Sequence, residues 1–254
     1  MPMSQRIQAL RERLTGEPVV PVERSIATLQ NERDYWEQVF ASTPKGSQPF
    51  TLKKQVEPYE KAMLRFREVW RKSIEAEREK RNDSYFNVVL NQKQVETIRG
   101  LVAYFSGNAS QYNPSKGLYI YGNVGSGKSM LMKCLFEFAY LTDYEFSLTN
   151  FQVEMSLIKD DVNRPYMNTL VSNNRCFDEV GFGSSKVQRF ANKIDVFEEV
   201  MYARNTRFDN YRQKTFVVSN LAPALFAADL DPRMADRMAA MMQEVPYFSD
   251  ESYR

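Results

Sequence analysis

Residues 122–129 read Gly122, Asn123, Val124, Gly125, Ser126, Gly127, Lys128 and Ser129, a full match to the pattern G-x-x-x-x-G-K-[ST]. Each fixed position has a chemical reason. The glycines let the backbone curl until successive N–H groups face the oxygens of a phosphate, and the start of a following helix adds positive potential. Lys128 offers an ammonium to the β and γ phosphates, and Ser129 offers a hydroxyl to Mg2+. Further along, Cys176-Phe177-Asp178-Glu179 ends an apolar run in two acids. In a phosphate site the first, Asp178, is suited to the magnesium shell and the second, Glu179, to polarising an attacking water. The segment Thr215–Asn220 closes another apolar run with Ser219-Asn220, where a neutral amide can hydrogen-bond a γ phosphate or the lytic water without adding charge. Together these residues are expected to bind ATP with Mg2+ and to hydrolyse it.

Such residues need a scaffold that presents them along one edge. The apolar run Leu118-Tyr119-Ile120-Tyr121 directly precedes the glycine loop, and the helical pattern SMLMKCLFEFAYL follows it. This is the strand, loop and helix order that the motif requires. Short β-type runs, GLYIYG, YEFSL, RCFDEV, TFVVSN and EVPYF, alternate with helical patterns beyond residue 90, which implies a parallel sheet covered by helices. Upstream, apolar Met63, Phe66, Trp70 and Ile74 recur at helical spacing between Glu57 and Arg81. A second helix is written in NQKQVETIRGLVAYF, with Val95, Ile98, Val102 and Phe105 on one face. The first 50 residues carry Pro18, Pro21, Pro44 and Pro49 around one short helical stretch, NERDYWEQVF, with Asn31 as its cap. A boundary near residue 90 therefore separates a mainly α-helical N-terminal region, 1–90, from an α/β domain, 91–254.

Composition removes other chemistries. The chain has 254 residues, 43% hydrophobic and 26% charged, which fits a folded protein rather than a disordered or fibrous one. It contains no histidine, so Ser-His and Cys-His catalysis and His-ligated metals are excluded. Cys134 and Cys176 lie in apolar segments and read as core rather than as a disulfide or zinc framework. No apolar run reaches the length of a membrane helix, and the start, MPMSQRIQALRERL, lacks a signal-peptide pattern, so a cytoplasmic protein without membrane attachment is expected. A formal charge of +2 permits nucleic-acid contact without arguing for it.

The order of parts, phosphate loop, acid pair, polar Ser-Asn, then arginines, resembles that of AAA+ ATPases. Within them it is most similar to the DnaC and IstB-type helicase loaders, through Pro232-Arg233-Met234-Ala235-Asp236-Arg237-Met238 and the closing Glu251-Ser252-Tyr253-Arg254. The similarity covers about residues 92 to 254. It implies a P-loop (ASCE/AAA+) sheet, with Arg233 and Arg237 reaching a neighbouring subunit's nucleotide and Arg254 touching the chain's own γ phosphate. It also implies self-association through those arginine fingers, an N-terminal region that grips a hexameric replicative helicase, and single-stranded DNA bound by the assembly. From Gly122 to Arg254 there is length for the α/β core of such an ATPase but not for a full helical lid. Two neighbouring classes share the signatures: an IstB-like transposition ATPase acting on duplex DNA, and a ZapE-like ATPase acting on protein partners.

Overall fold

The structure is a computed structural model and describes residues 57–254 except 141–144, 161–168, 182–185, 190–191, 229, 251 and 253–254. The helical stretch expected at NERDYWEQVF lies outside the described residues, as does Arg254. All described residues fall in one compact unit, 47–254.

Among the described residues the first elements are α1 (Tyr59–Arg81) and α2 (Gln92–Ser106). A turn ends α1 at Asn82, which takes the left-handed conformation (φ 52°) that asparagine tolerates. A capping box starts α2: the Asn91 side chain accepts from Gln94 N–H, and Gln94 Oε1 accepts from Asn91 N–H. Then come β1 (Gly117–Tyr121), α3 (Lys128–Ala139), β2 (Ser147–Asn150), α4 (Phe151–Asp160) and β3 (Arg175–Val180). A hairpin, β4 (Lys186–Arg189) and β5 (Asn192–Asp195), leads into α5 (Val196–Tyr211), β6 (Thr215–Ser219), α6 (Pro223–Ala227), α7 (Pro232–Met241) and β7 (Met242–Pro246). The hairpin forms its own two-stranded antiparallel sheet, and no sequence signal singled it out.

Five strands make one parallel sheet in the order β2-β3-β6-β1-β7. Side chains alternate across it, because successive residues of a strand point to opposite faces. Leu118, Ile120, Cys176, Phe216 and Val218 join one core with Ala62 and Phe66 of α1, Leu101 and Phe105 of α2, and Leu131 and Leu135 of α3. Tyr119, Phe177 and Val217 join the other core with Phe151, Phe197, Val200 and Met238. Burial on both faces is what a parallel sheet between helix layers requires, and it explains the nearly continuous apolar runs in the sequence.

The expected α/β class and parallel sheet are thus present, with shifted ends. β2 begins at Ser147, since its partner positions start at Arg175, and Phe146 before it is buried without extending the ladder, while Tyr144 lies outside the described residues. β7 begins at Met242, where the helical pattern RMADRMAAMM breaks into extended backbone (φ −129°, ψ 157°). On α2 the buried face centres on Gln94, Ile98, Leu101 and Phe105, leaving Val95 half-buried. The sequence boundary near residue 90 falls inside the compact unit: α1 packs along α3, with Cys134 Sγ on Ser73 Oγ at 3.2 Å. Cys134 and Cys176 are buried, as expected of core positions.

Candidate active site

All five strands run the same way, so their carboxyl ends lie along one edge, where open parallel sheets bind ligands. Tyr121 passes into the glycine loop there, Asn150 ends β2, Asp178 and Glu179 sit near the end of β3, and Ser219 ends β6 with Asn220 directly after it. A cavity of about 790 Å³ opens at this edge, bounded by residues 125–130, Asp178, Glu179 and 218–220, with the last turns of α1 as its far wall.

The loop is shaped by glycine. Gly125 and Gly127 hold φ of 81° and 86°, and Gly127 is the N-cap of α3. Lys128, the first residue of α3, is buried, and its ammonium donates to the carbonyls of Gly122 (3.0 Å) and Asn123 (2.8 Å) and to Ser126 Oγ (3.3 Å). Phosphate oxygens are stronger acceptors than these and compete for the same ammonium.

Next along α3, Ser129 Oγ donates to Asp178 Oδ1 at 3.1 Å. Asp178 is buried, and burial pushes its carboxyl above the ordinary 3.8, against the opposing pull of the Ser129 hydroxyl and the Glu179 N–H. These two hard oxygen donors suit Mg2+, which takes one or two protein ligands and completes its shell with phosphate and water. Among the described residues no cluster of three or more His, Cys, Asp or Glu forms, so a larger protein-only metal cage is absent from them.

Glu179 stands apart from its neighbour. Its backbone is left-handed (φ 62°), and the register between β3 and β6 shifts between Phe177 and Val180, a bulge that turns the Glu179 side chain out of the sheet. Its Oε2 accepts from Asn150 Nδ2 at 2.8 Å, and its carbonyl from Gln152 Nε2 at 3.4 Å. The sequence reading missed Asn150. A polar residue closing a strand beside the acid strand was the available signal. Asn220 is exposed at the cavity edge, while Ser219 Oγ is buried and donates to the Val180 carbonyl at 2.8 Å, tying the ends of β6 and β3 together.

Lys128, Ser129, Asp178, Glu179 and Asn220 therefore share one cavity with Gly125, Ser126 and Gly127. Gly122, Asn123 and Val124 form the outer limb of the loop, with Val124 exposed. Arg233 and Arg237 do not line that cavity. They lie on α7, Arg233 exposed and Arg237 stacked over the Tyr202 ring at 4.4 Å. Asp231 caps α7 by accepting from Arg233 N–H at 2.7 Å, and its own N–H donates to Glu198 of α5 at 3.0 Å. Arg254 itself lies outside the described residues, although Ser252, two positions earlier, abuts the loop: a methyl group on Gly125 would meet Ser252 Oγ at 2.2 Å.

No helix among the described residues is long and apolar enough to cross a membrane. No curated protein matches the chain. Among solved structures it is similar to a putative primosome component from Streptococcus pyogenes serotype M3, with a TM-score of 0.49 and 18% identity over 67% of this chain and 86% of that one. It is also similar to the DnaC helicase loader, with a TM-score of 0.46 and 18% identity over 62% and 92%. For AMPPCP-bound DnaA from Aquifex aeolicus the TM-score is 0.47, with 18% identity over 64% and 51%. Residues 53–182, just over half of the chain, match the model of the AFG1-like ATPase family. That stretch runs from α1 through the phosphate loop to the acid pair, and with it the chain belongs to the AFG1-like ATPase family.

Proposed function

We propose that this AAA+ P-loop protein hydrolyses Mg-ATP and uses the cycle to act on a protein partner, the ZapE-like reading of the sequence. The observation that carries the chemistry is the 3.1 Å contact between Ser129 Oγ and Asp178 Oδ1 in the cavity that also holds Lys128, Glu179 and Asn220. In this reading the loop amides and Lys128 seat the β and γ phosphates, and Ser129 and Asp178 hold the magnesium that neutralises developing charge. Glu179 accepts the proton of the attacking water, and Asn220 orients that water or the γ phosphate. Arg233 and Arg237 serve the nucleotide of an adjacent subunit, a role that agrees with their absence from the chain's own cavity.

The family match also fits this ZapE-like reading, in which the N-terminal region would hold the protein partner. A second reading, a DnaC-like loader of a hexameric replicative helicase on single-stranded DNA, is supported by Pro232–Met238 and by the closing Glu251–Arg254. Steady-state ATP turnover of the full chain, titrated with single-stranded and duplex oligonucleotides at low and moderate salt, separates them. The protein-directed reading expects no change with either nucleic acid. Salt-sensitive stimulation by single strands would overturn it in favour of the loader, and stimulation by duplex would favour the IstB-like alternative.

A further inference from the structure

The segment after β7 is sewn to the phosphate loop by side chains that the hydrolysis reaction does not use. The last backbone rung between β1 and β7 is Tyr247 N–H to the Tyr121 carbonyl, at 2.7 Å. At the next position the two chains come close together: a methyl group on Gly122 would lie 1.9 Å from the Tyr247 carbonyl oxygen. Past Gly122 the loop backbone curls away, and a side chain continues the ladder. Asn123 Nδ2 donates to the Ser249 carbonyl at 2.9 Å, and Asn123 Oδ1 accepts from Ser249 N–H at 3.0 Å. An asparagine amide has one acceptor and a donor side by side, so it can pair both backbone groups of a single residue as a strand neighbour would.

Other contacts reinforce the seam. Asn91 Nδ2 donates to the Phe248 carbonyl at 3.2 Å and to Asp250 Oδ2 at 3.1 Å, while Gln94 of the same cap donates to the Ser126 carbonyl at 3.2 Å. The Phe248 ring meets Tyr121 edge-on at 5.8 Å, and Ser252 lies against Gly125. Asn123 also faces the chemistry through its carbonyl, which accepts from Lys128. A phosphate that draws Lys128 away acts on the same residue that holds the tail.

We propose that Asn123 is a positioning residue that seats residues 247–250 and Ser252 on the phosphate loop, so that the tail and the phosphates of a bound nucleotide stabilise each other. The seated tail pre-organises the loop for phosphate, and by reciprocity phosphate strengthens the seating. This rests on the assignment of residues 122–129 as the nucleotide site.

The test pairs two readouts on the full chain. Affinity for Mg-ADP is measured for wild type, Asn123→Ala, a chain ending at Phe248, and the combination. Each single change is expected to weaken binding by about ten-fold, the loss of two ordinary hydrogen bonds, and the combination no more than either alone. Independent, multiplying losses would overturn the proposal, as would a loss in Asn123→Ala with none on truncation, since Asn123 would then act within the loop. Second, Ser252→Cys carries a fluorophore, with Cys134 and Cys176 buried. Its anisotropy is expected to rise with Mg-ADP in the wild-type background and to start lower, without that rise, in Asn123→Ala. Asp250→Ala, which leaves the loop untouched, is expected to give a smaller drop of the same kind. Unchanged anisotropy in both variants would refute the seating role. Nucleotide binding lost in Lys128→Ala but unaltered in Asn123→Ala would refute this proposal alone, whereas no binding by wild type would refute the site itself.

Discussion

Replacing Arg204 by methionine is expected to destabilise the fold by about 3–5 kcal/mol, because it leaves several buried oxygen acceptors without their donor. Arg204 lies on α5 with about 1% of its surface exposed, and no carboxylate pairs with it in the network described. Its guanidinium is held by oxygens alone: Thr215 Oγ1 (2.7 Å), and the carbonyls of Leu170 (2.9 Å), Val171 (3.2 Å), Asn173 (3.1 Å) and Lys214 (2.7 Å). These belong to the segments that lead into β3 and β6, the strands that end at Asp178, Glu179 and Asn220. Burial, with Arg175 and Arg207 adding repulsion, pushes the guanidinium down to about 9. The sign is that of a cost: the stability lost to this charge is recovered only as pH rises above about 9 toward the ordinary guanidinium range. Methionine removes that cost but takes the donor from the buried carbonyls of Leu170 and Val171 and from the buried Thr215 hydroxyl, at roughly 1–3 kcal/mol each, so the loss wins. Lysine, with three donors for five acceptors, should fall between. Urea unfolding followed by circular dichroism at neutral pH measures the difference through the midpoint at constant slope. A methionine variant as stable as wild type would show that the hydrogen bonds only break even with burial of the charge.

Two further outcomes concern the site. Because burial raises the Asp178 carboxyl, acidification protonates it, and weakens the magnesium-dependent part of nucleotide affinity, at a pH above the ordinary 3.8. Titrations with Mg2+ and with EDTA between about pH 4 and 7 should show this limb in wild type and no magnesium-dependent part in Asp178→Asn. If Arg237 works on a neighbour, Arg237→Ala mixed with Lys128→Ala should regain turnover, since one variant lends its arginine and the other its phosphate loop. Tyr202→Leu, which removes the ring under Arg237, should lower the capacity to lend by about 2–5-fold while Tyr202→Phe keeps it, and equal behaviour of all mixtures would contradict a role in trans.

Chemistry carried by local pattern was legible in the sequence; chemistry carried by distant contacts was not. The glycine loop, Lys128 and Ser129 are contiguous, and both-face burial leaves apolar runs that mark the central strands β1, β3 and β6. Asp178 and Glu179 were found because an acid pair at the end of such a run is conspicuous, but the bulge and positive φ that separate their roles leave no trace in residue types. Asn150 meets Glu179 across 29 positions of chain, and Asn123 meets Ser249 across 126, so neither pairing follows from spacing. Arg204 did leave a trace. It interrupts the apolar stripe Val200, Met201, Phe208 on α5, and a lone cation on a buried stripe signals a hydrogen-bonded anchor. The hairpin at 186–195 was invisible because its polar, mixed residues match neither a buried strand nor an amphipathic helix.

Glu179→Gln and Lys128→Ala, compared with wild type for Mg-ATP binding and single-turnover hydrolysis, test the central claim most directly. Glu179→Gln keeps the Ser129–Asp178 pair and the Asn150 contact within reach, so it should bind Mg-ATP as wild type does while hydrolysis slows by about 100-fold or more. Lys128→Ala should lose binding itself, because the outer phosphates are left without their buried ammonium. Hydrolysis at the wild-type rate in Glu179→Gln, or undiminished affinity in Lys128→Ala, would contradict an ATPase site built on these residues.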